Sequence, residues 1–87
     1  MEESELVTSL IPAVEEQLNS RDTTYVRKTF QRLLKIEDEE ETIDEDLAKK
    51  MIALCLADES NRMFIDKRNF DELRYQELLN ALPELPE

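Results

Sequence analysis

Asp58, Glu59 and Arg62 put two carboxylates and a guanidinium within one and a half helical turns. Paired carboxylates can divide general acid and base work, or share a hard cation. Asp58 and Arg62 are spaced i,i+4 and Glu59 and Arg62 i,i+3, so on a helix either acid can meet the cation. All three fall on the side of the wheel set by Met51, Ile52 and Cys55, which makes them charges on a core-facing line. Burial would raise a carboxylate's pKa towards that of a useful acid, and an Arg partner pulls it down again. Three arrangements are open: a helix end projecting past the core, an ion-pair network clamping the next helix, or the lining of a binding cleft or dimer surface.

Cys55 is the one thiol. A reactive thiol needs an exposed, electropositive niche. Cys55 instead sits among Met51, Ile52 and Leu56, and reads as a small core residue. Residues 36–46 carry eight carboxylates, which could attract a hard cation such as Ca²⁺. Tight binding needs a loop that folds back on itself, and there is no Gly to turn it; residues 37–42 read as a solvated acidic linker. Residues 21–35 reverse the sign, with five cations against one acid. Arg21, Lys28, Arg32 and Lys35 form a candidate basic face, open to three uses: balancing the protein's own acids, docking an acidic protein, or gripping phosphates. No aromatic residues interleave with the cations for base stacking, and the rest of the chain repels a polyanion.

Composition narrows the chemistry further. The 87 residues hold 22 acids and 11 Lys or Arg, a net charge of -11, with no Gly, His or Trp. Without Gly there is no phosphate-cradling loop and no EF-hand turn. Without His there is no Ser-His or Cys-His pair and no imidazole ligand. No catalytic, cofactor or metal residue is assigned, and no cofactor is expected. The single Cys precludes an intrachain disulfide and fits a reducing compartment. No apolar run approaches the roughly 20 residues of a membrane span, and the N-terminus lacks a signal peptide's basic region, so a cytoplasmic protein is expected. A chain this short buries only about 60–65 % of its unfolded surface, which makes homodimerisation a reasonable expectation.

These side chains need elements to hold them, and the periodicity predicts an all-α, single-domain bundle of about four helices. The first stripe is Leu6, Val7, Leu10, Ile11, Val14 and Leu18, kinked or split at Pro12 and ended by Asn19-Ser20 with Asn in a left-handed conformation. The second helix is predicted over Thr23–Ile36, capped by Asp22 or Thr23, with Val26, Phe30, Leu33 and Leu34 inward. Thr42 and Glu45 fit a capping box that opens a third helix over Ile43–Ile65. Its wide apolar face runs through Leu47, Ala48, Met51, Ile52, Leu54, Cys55 and Leu56, as suits the central element. Lys67-Arg68-Asn69 stops it. Asp71 caps a fourth helix carrying Tyr75, Leu78, Leu79 and Leu82, and residues 83–87 form an extended tail.

Lys50–Leu56, then Phe70-Asp71-Glu72 with Tyr75, then Leu82–Pro86, resemble small uncharacterised bacterial helical domain proteins. The resemblance covers the C-terminal half, Leu47–Pro86, and implies a bacterial helical module without carrying an activity. An acyl carrier protein is similar in size, acidity and helix count, but its attachment Ser follows an Asp at the start of the second helix; Thr8-Ser9-Leu10 lies too early and lacks that Asp.

The expectation is a non-enzymatic protein–protein interaction or accessory module, its partner a second copy or another protein. The first alternative is a nucleic-acid role, by direct binding through the basic helix or by acidic imitation of DNA. The second is a carboxylate-based metal-binding protein.

Overall fold

Apolar residues recurring every three to four positions give four segments a face to bury, and four α-helices result. The computed structural model describes residues 5–36, 43–82 and 84. They form α1 (Glu5–Leu18), α2 (Thr24–Leu34), α3 (Glu45–Asp66) and α4 (Glu72–Ala81), with a single 3-10 turn at Arg21–Thr23 leading into α2. No strand occurs among the described residues. The acidic run at 37–42, Thr42 of the expected capping box, the side chain of Leu6 and the tail at 83–87, Glu84 apart, lie outside them.

The helix ends differ from expectation in instructive ways. α1 is continuous through Pro12 and is neither split nor begun there. Proline has no N–H to give the Thr8 carbonyl, but both residues are exposed, so water can donate to that carbonyl instead. Asn19 does not turn left-handed. Its side-chain amide instead donates to the Glu15 carbonyl at 3.2 Å. The turn into α2 is capped by Ser20, whose hydroxyl accepts the Asp22 N–H at 3.1 Å; neither Asp22 nor Thr23 caps with its side chain. Thr23 points its hydroxyl back to the Gln17 carbonyl at 2.9 Å, and α2 begins one residue later.

Asp44 caps α3, accepting the Leu47 N–H at 2.8 Å. Before it, Ile43 is buried, as is Ala48 in the next turn, the two positions of a hydrophobic staple. α3 ends at Lys67, the only non-glycine residue with positive φ among those described (φ 56°, ψ 47°). Lys67 and Arg68 both turn their N–H groups to the Met63 carbonyl. Holding a side-chain-bearing residue in this conformation costs about 1 kcal/mol, and a chain without Gly has no cheaper stop. Asp71 caps α4 as expected, accepting the Arg74 N–H at 3.1 Å.

α3 is the central helix. It packs along α1 and also against α2 and α4, while α2 touches α1 and α4 in turn. Val14, Val26, Leu33, Ile52, Cys55, Tyr75, Leu79 and Leu82 form the fully enclosed part of the core. Leu47 departs from the expected inner face and is exposed. On the wheel it aligns with Leu54 and Ile65, whereas the buried residues run from Met51 through Cys55, Glu59 and Leu56 round to Ala53 and Ala57, so the inner face is wide but turned away from Leu47. No helix among the described residues is long and apolar enough to cross a membrane.

Candidate functional site

Among the described residues, Glu59 is the one charged side chain with no exposure at all. It lies on the core-facing line of α3, which excludes the reading of a helix end projecting past the core. Its carboxylate accepts four hydrogen bonds. Arg68 Nη1 and the Asp71 N–H donate to Oε2 at 2.7 and 2.8 Å, while Arg74 Nη1 and Arg68 Nη2 donate to Oε1 at 2.7 and 3.2 Å. Arg74 Nη2 also donates to Asp58 Oδ2 at 2.7 Å, so one guanidinium forks across both acids. The arrangement is the ion-pair network that clamps the fourth helix.

Arg62 takes no part in it. It is exposed and joins neither carboxylate. The reversal of the chain at Lys67 brings Arg68, and then Arg74 in the first turn of α4, back over Glu59, and these supply the cations instead. Arg74 carries a signal visible in sequence. A cation in the first turn of a helix faces the positive end of the macrodipole, and needs an acid to justify it.

The environment fixes the protonation of the cluster. Arg68, by hydrogen bonding, is the main cause that lowers Glu59 to about 2; burial opposes it, and the Asp71 N–H and Arg74 add to the lowering. Arg68 and Arg74 are held more firmly protonated than usual, each by Glu59 first. A carboxylate with both oxygens saturated and so low a pKa neither donates a proton near neutral pH nor has a lone pair to spare for an ion. Among the described residues, no group of three or more Cys, Asp or Glu side chains could hold a metal ion.

The other end of α4 is held by a second arginine. Arg32, expected on a free basic face, donates to the carbonyls of Leu82 and Leu79 at 2.8 Å each and closes the C-terminus of α4. Arg27 does the same for α1, donating to the Leu18 carbonyl at 2.9 Å. Arg21, Lys28 and Lys35 remain exposed, so the face is smaller than the sequence suggests. Midway along α4, buried Tyr75 donates its hydroxyl to Gln17 Oε1 at 2.7 Å, reaching α1. Tyr25 and Phe70 stack edge-on against its ring, with centroids 6.0 and 5.4 Å away. α4 is thus fastened to α3, α2 and α1 at three successive points.

Cys55 is enclosed in the core, and burial, with Asp58 adding, pushes its thiol up to about 12. It lacks the electropositive niche of a nucleophile.

Two hollows among the described residues bear on contact with a partner. One, of about 580 Å³, lies between α1, α2 and the start of α3 over Leu18, Phe30 and Leu34, with the Lys49–Glu15 ion pair at its edge at 3.1 Å. The other is a shallow groove of about 560 Å³ formed by residues 68–73. Leu73 (72 % exposed) lines it and Phe64 (82 %) and Ile65 (57 %) precede it in sequence; with Leu47 these are the large exposed hydrophobics among the described residues. Composition alone did not single them out, because Phe64 and Ile65 merely continue an apolar helix.

The chain matches no family model, no curated protein and no solved structure.

Proposed function

We propose that this protein is a non-enzymatic protein–protein interaction module of the cytoplasm, acting through the corner where α3 turns into α4. The observation that carries the reading is the exposure of Phe64, Ile65 and Leu73 in the segment that runs from the last turn of α3 into the first turn of α4, which the Glu59 ion pairs hold together. Several large apolar side chains left exposed in one short segment mark contact sites more often than scattered single ones do. The ion-pair cluster in the same segment matters for binding. Because Glu59 ties Arg68, Asp71 and Arg74 together, the corner keeps its shape without a partner, and a pre-shaped surface loses less entropy on docking.

The saturated carboxylate and the enclosed thiol support a structural rather than a catalytic use of the most reactive groups described. Phosphate binding through α2 is weakened as a reading by the commitment of Arg32 to the α4 carbonyls. A test of that alternative should reverse Lys28 and Lys35 only, since reversing Arg32 would undo a helix cap.

A photoactivatable residue at position 64 tests the proposal. In host extract it should form protein adducts that unlabelled wild-type protein suppresses and the Phe64→Ser variant does not. The same residue at Leu47, also exposed but in the first turn of α3, should form none of these. Equal labelling at both positions would remove the reading.

A further inference from the structure

We infer that the α3–α4 corner takes a second copy of this chain, with Phe64 of each copy seated in the groove formed by residues 68–73 of the other. The inference rests on the interaction-module reading and names its partner. A two-fold interface must be self-complementary: whatever one copy projects, the same surface must also receive. Here an apolar projection and a recess lie on one corner. Phe64 stands 82 % exposed in the last turn of α3, and the groove of about 560 Å³, with Phe70 and Leu73 in its walls, begins four residues later.

Charge favours the same occupant. The chain carries -11, and two copies approaching through most of its segments would set like charges against each other. Residues 58–74 are different, with Arg62, Lys67, Arg68 and Arg74 against Asp58, Glu59, Asp66, Asp71 and Glu72. This nearly neutral stretch, with both signs interspersed, lets a copy meet its own image without net repulsion. A strongly basic partner would gain more at residues 1–20 or 36–46, which carry -5 and -8. Size is consistent with a modest dimer. An aromatic side chain buries roughly 150–250 Å², about a quarter of the roughly 800 Å² each partner contributes to a standard interface. Ile65, Leu73 and the groove walls extend the contact around it.

Sedimentation equilibrium over a concentration series tests the inference on the full chain. Wild type should pass from monomer to dimer. Phe64→Ser and Leu73→Ser should each raise the dissociation constant, the former by about thirtyfold, as expected for a central aromatic anchor. Leu47→Ser should leave it unchanged. These positions are exposed, so circular dichroism should show all variants folded. Mixing Phe64→Cys with Leu73→Cys under mild oxidation should give the mixed disulfide in preference to either self-pair, with buried Cys55 silent. A wild type that stays monomeric up to about millimolar concentration overturns the second-copy inference, as does a dimer indifferent to both Ser variants. If position 64 still captures a different protein specifically, the module reading survives that result. Loss of specific capture at position 64 would overturn the module reading itself.

Discussion

Replacing Glu59 by Gln should destabilise the protein by about 2–3 kcal/mol at pH 6, and most of that gap should close in acid. Glu59 ordinarily titrates at 4.5 and in the folded chain at about 2. At about 1.4 kcal/mol for each pH unit, that difference corresponds to about 3 kcal/mol of stability. Solvent screening trims the figure, because the side chains of Arg68 and Arg74 keep 30 % and 29 % exposure. Breaking a buried pair by removing one partner typically costs about 3–5 kcal/mol, so the two routes agree in order. The folded pKa is lowered, so the stabilisation is complete above the unfolded value of 4.5 and is lost as pH falls towards about 2. Linkage places about 2 kcal/mol of the loss above pH 3. Urea unfolding followed by circular dichroism, for wild type and Glu59→Gln from pH 6 to pH 3, isolates this carboxylate, because the other acids titrate in both proteins. Arg74→Ala should fall in the same range at pH 6, whereas Arg62→Ala should change stability by less than about 0.5 kcal/mol. A gap that stays constant across the pH range, or an Arg62→Ala loss as large as that of Arg74→Ala, would refute the assignment of cations to Glu59.

Three further outcomes follow from the helix ends and the core. Arg32→Ala should cost about 1–3 kcal/mol by freeing the Leu79 and Leu82 carbonyls, with Arg32→Lys recovering only part because one ammonium cannot reproduce the fork; denaturant midpoints check both. Lys67→Gly should stabilise the protein by up to about 1 kcal/mol, seen as a higher Tm, since the left-handed conformation at φ 56° suits Gly and strains Lys. Cys55 should react with a thiol reagent at neutral pH only at the rate of global opening, and fully in denaturant.

What could be read in advance follows from what is local. The four helices, the central place of α3, the Asp71 cap and the enclosure of Cys55 all come from spacing within one segment. Glu59 was legible too, because its position on the wheel conflicts with its charge. The partners of Glu59 were not, because i,i+3 and i,i+4 rules see only the helix itself. Arg62 satisfies the spacing, yet sits about 60° around α3 from Glu59, whereas Arg68 and Arg74 arrive through a chain reversal. Arg32 was missed for the same reason: its acceptors lie 47 and 50 residues away in sequence. Pro12 neither starts nor splits α1; the helix carries on through it at an exposed position, where water can donate to the Thr8 carbonyl.

The absence of Gly connects these features. A helix usually ends by letting one glycine turn left-handed, which folds the chain back and satisfies the last carbonyls. Among the described residues the chain manages that turn once, on Lys67, at the cost of strain. At the ends of α1 and α4 it sends arginines from α2 instead, Arg27 to Leu18 and Arg32 to Leu79 and Leu82. Capping a carbonyl does not neutralise a guanidinium, but it fixes the charge beside the negative end of a helix and removes its freedom to grip a ligand. Two of the three cations of α2, Arg27 and Arg32, are therefore architectural. The same argument covers Arg68 and Arg74, whose forks are taken up by Glu59 and Asp58. With four arginines committed to holding helices, the proposed interaction role falls on groups left unengaged, and Phe64, Ile65 and Leu73 are the most exposed large hydrophobics among the described residues.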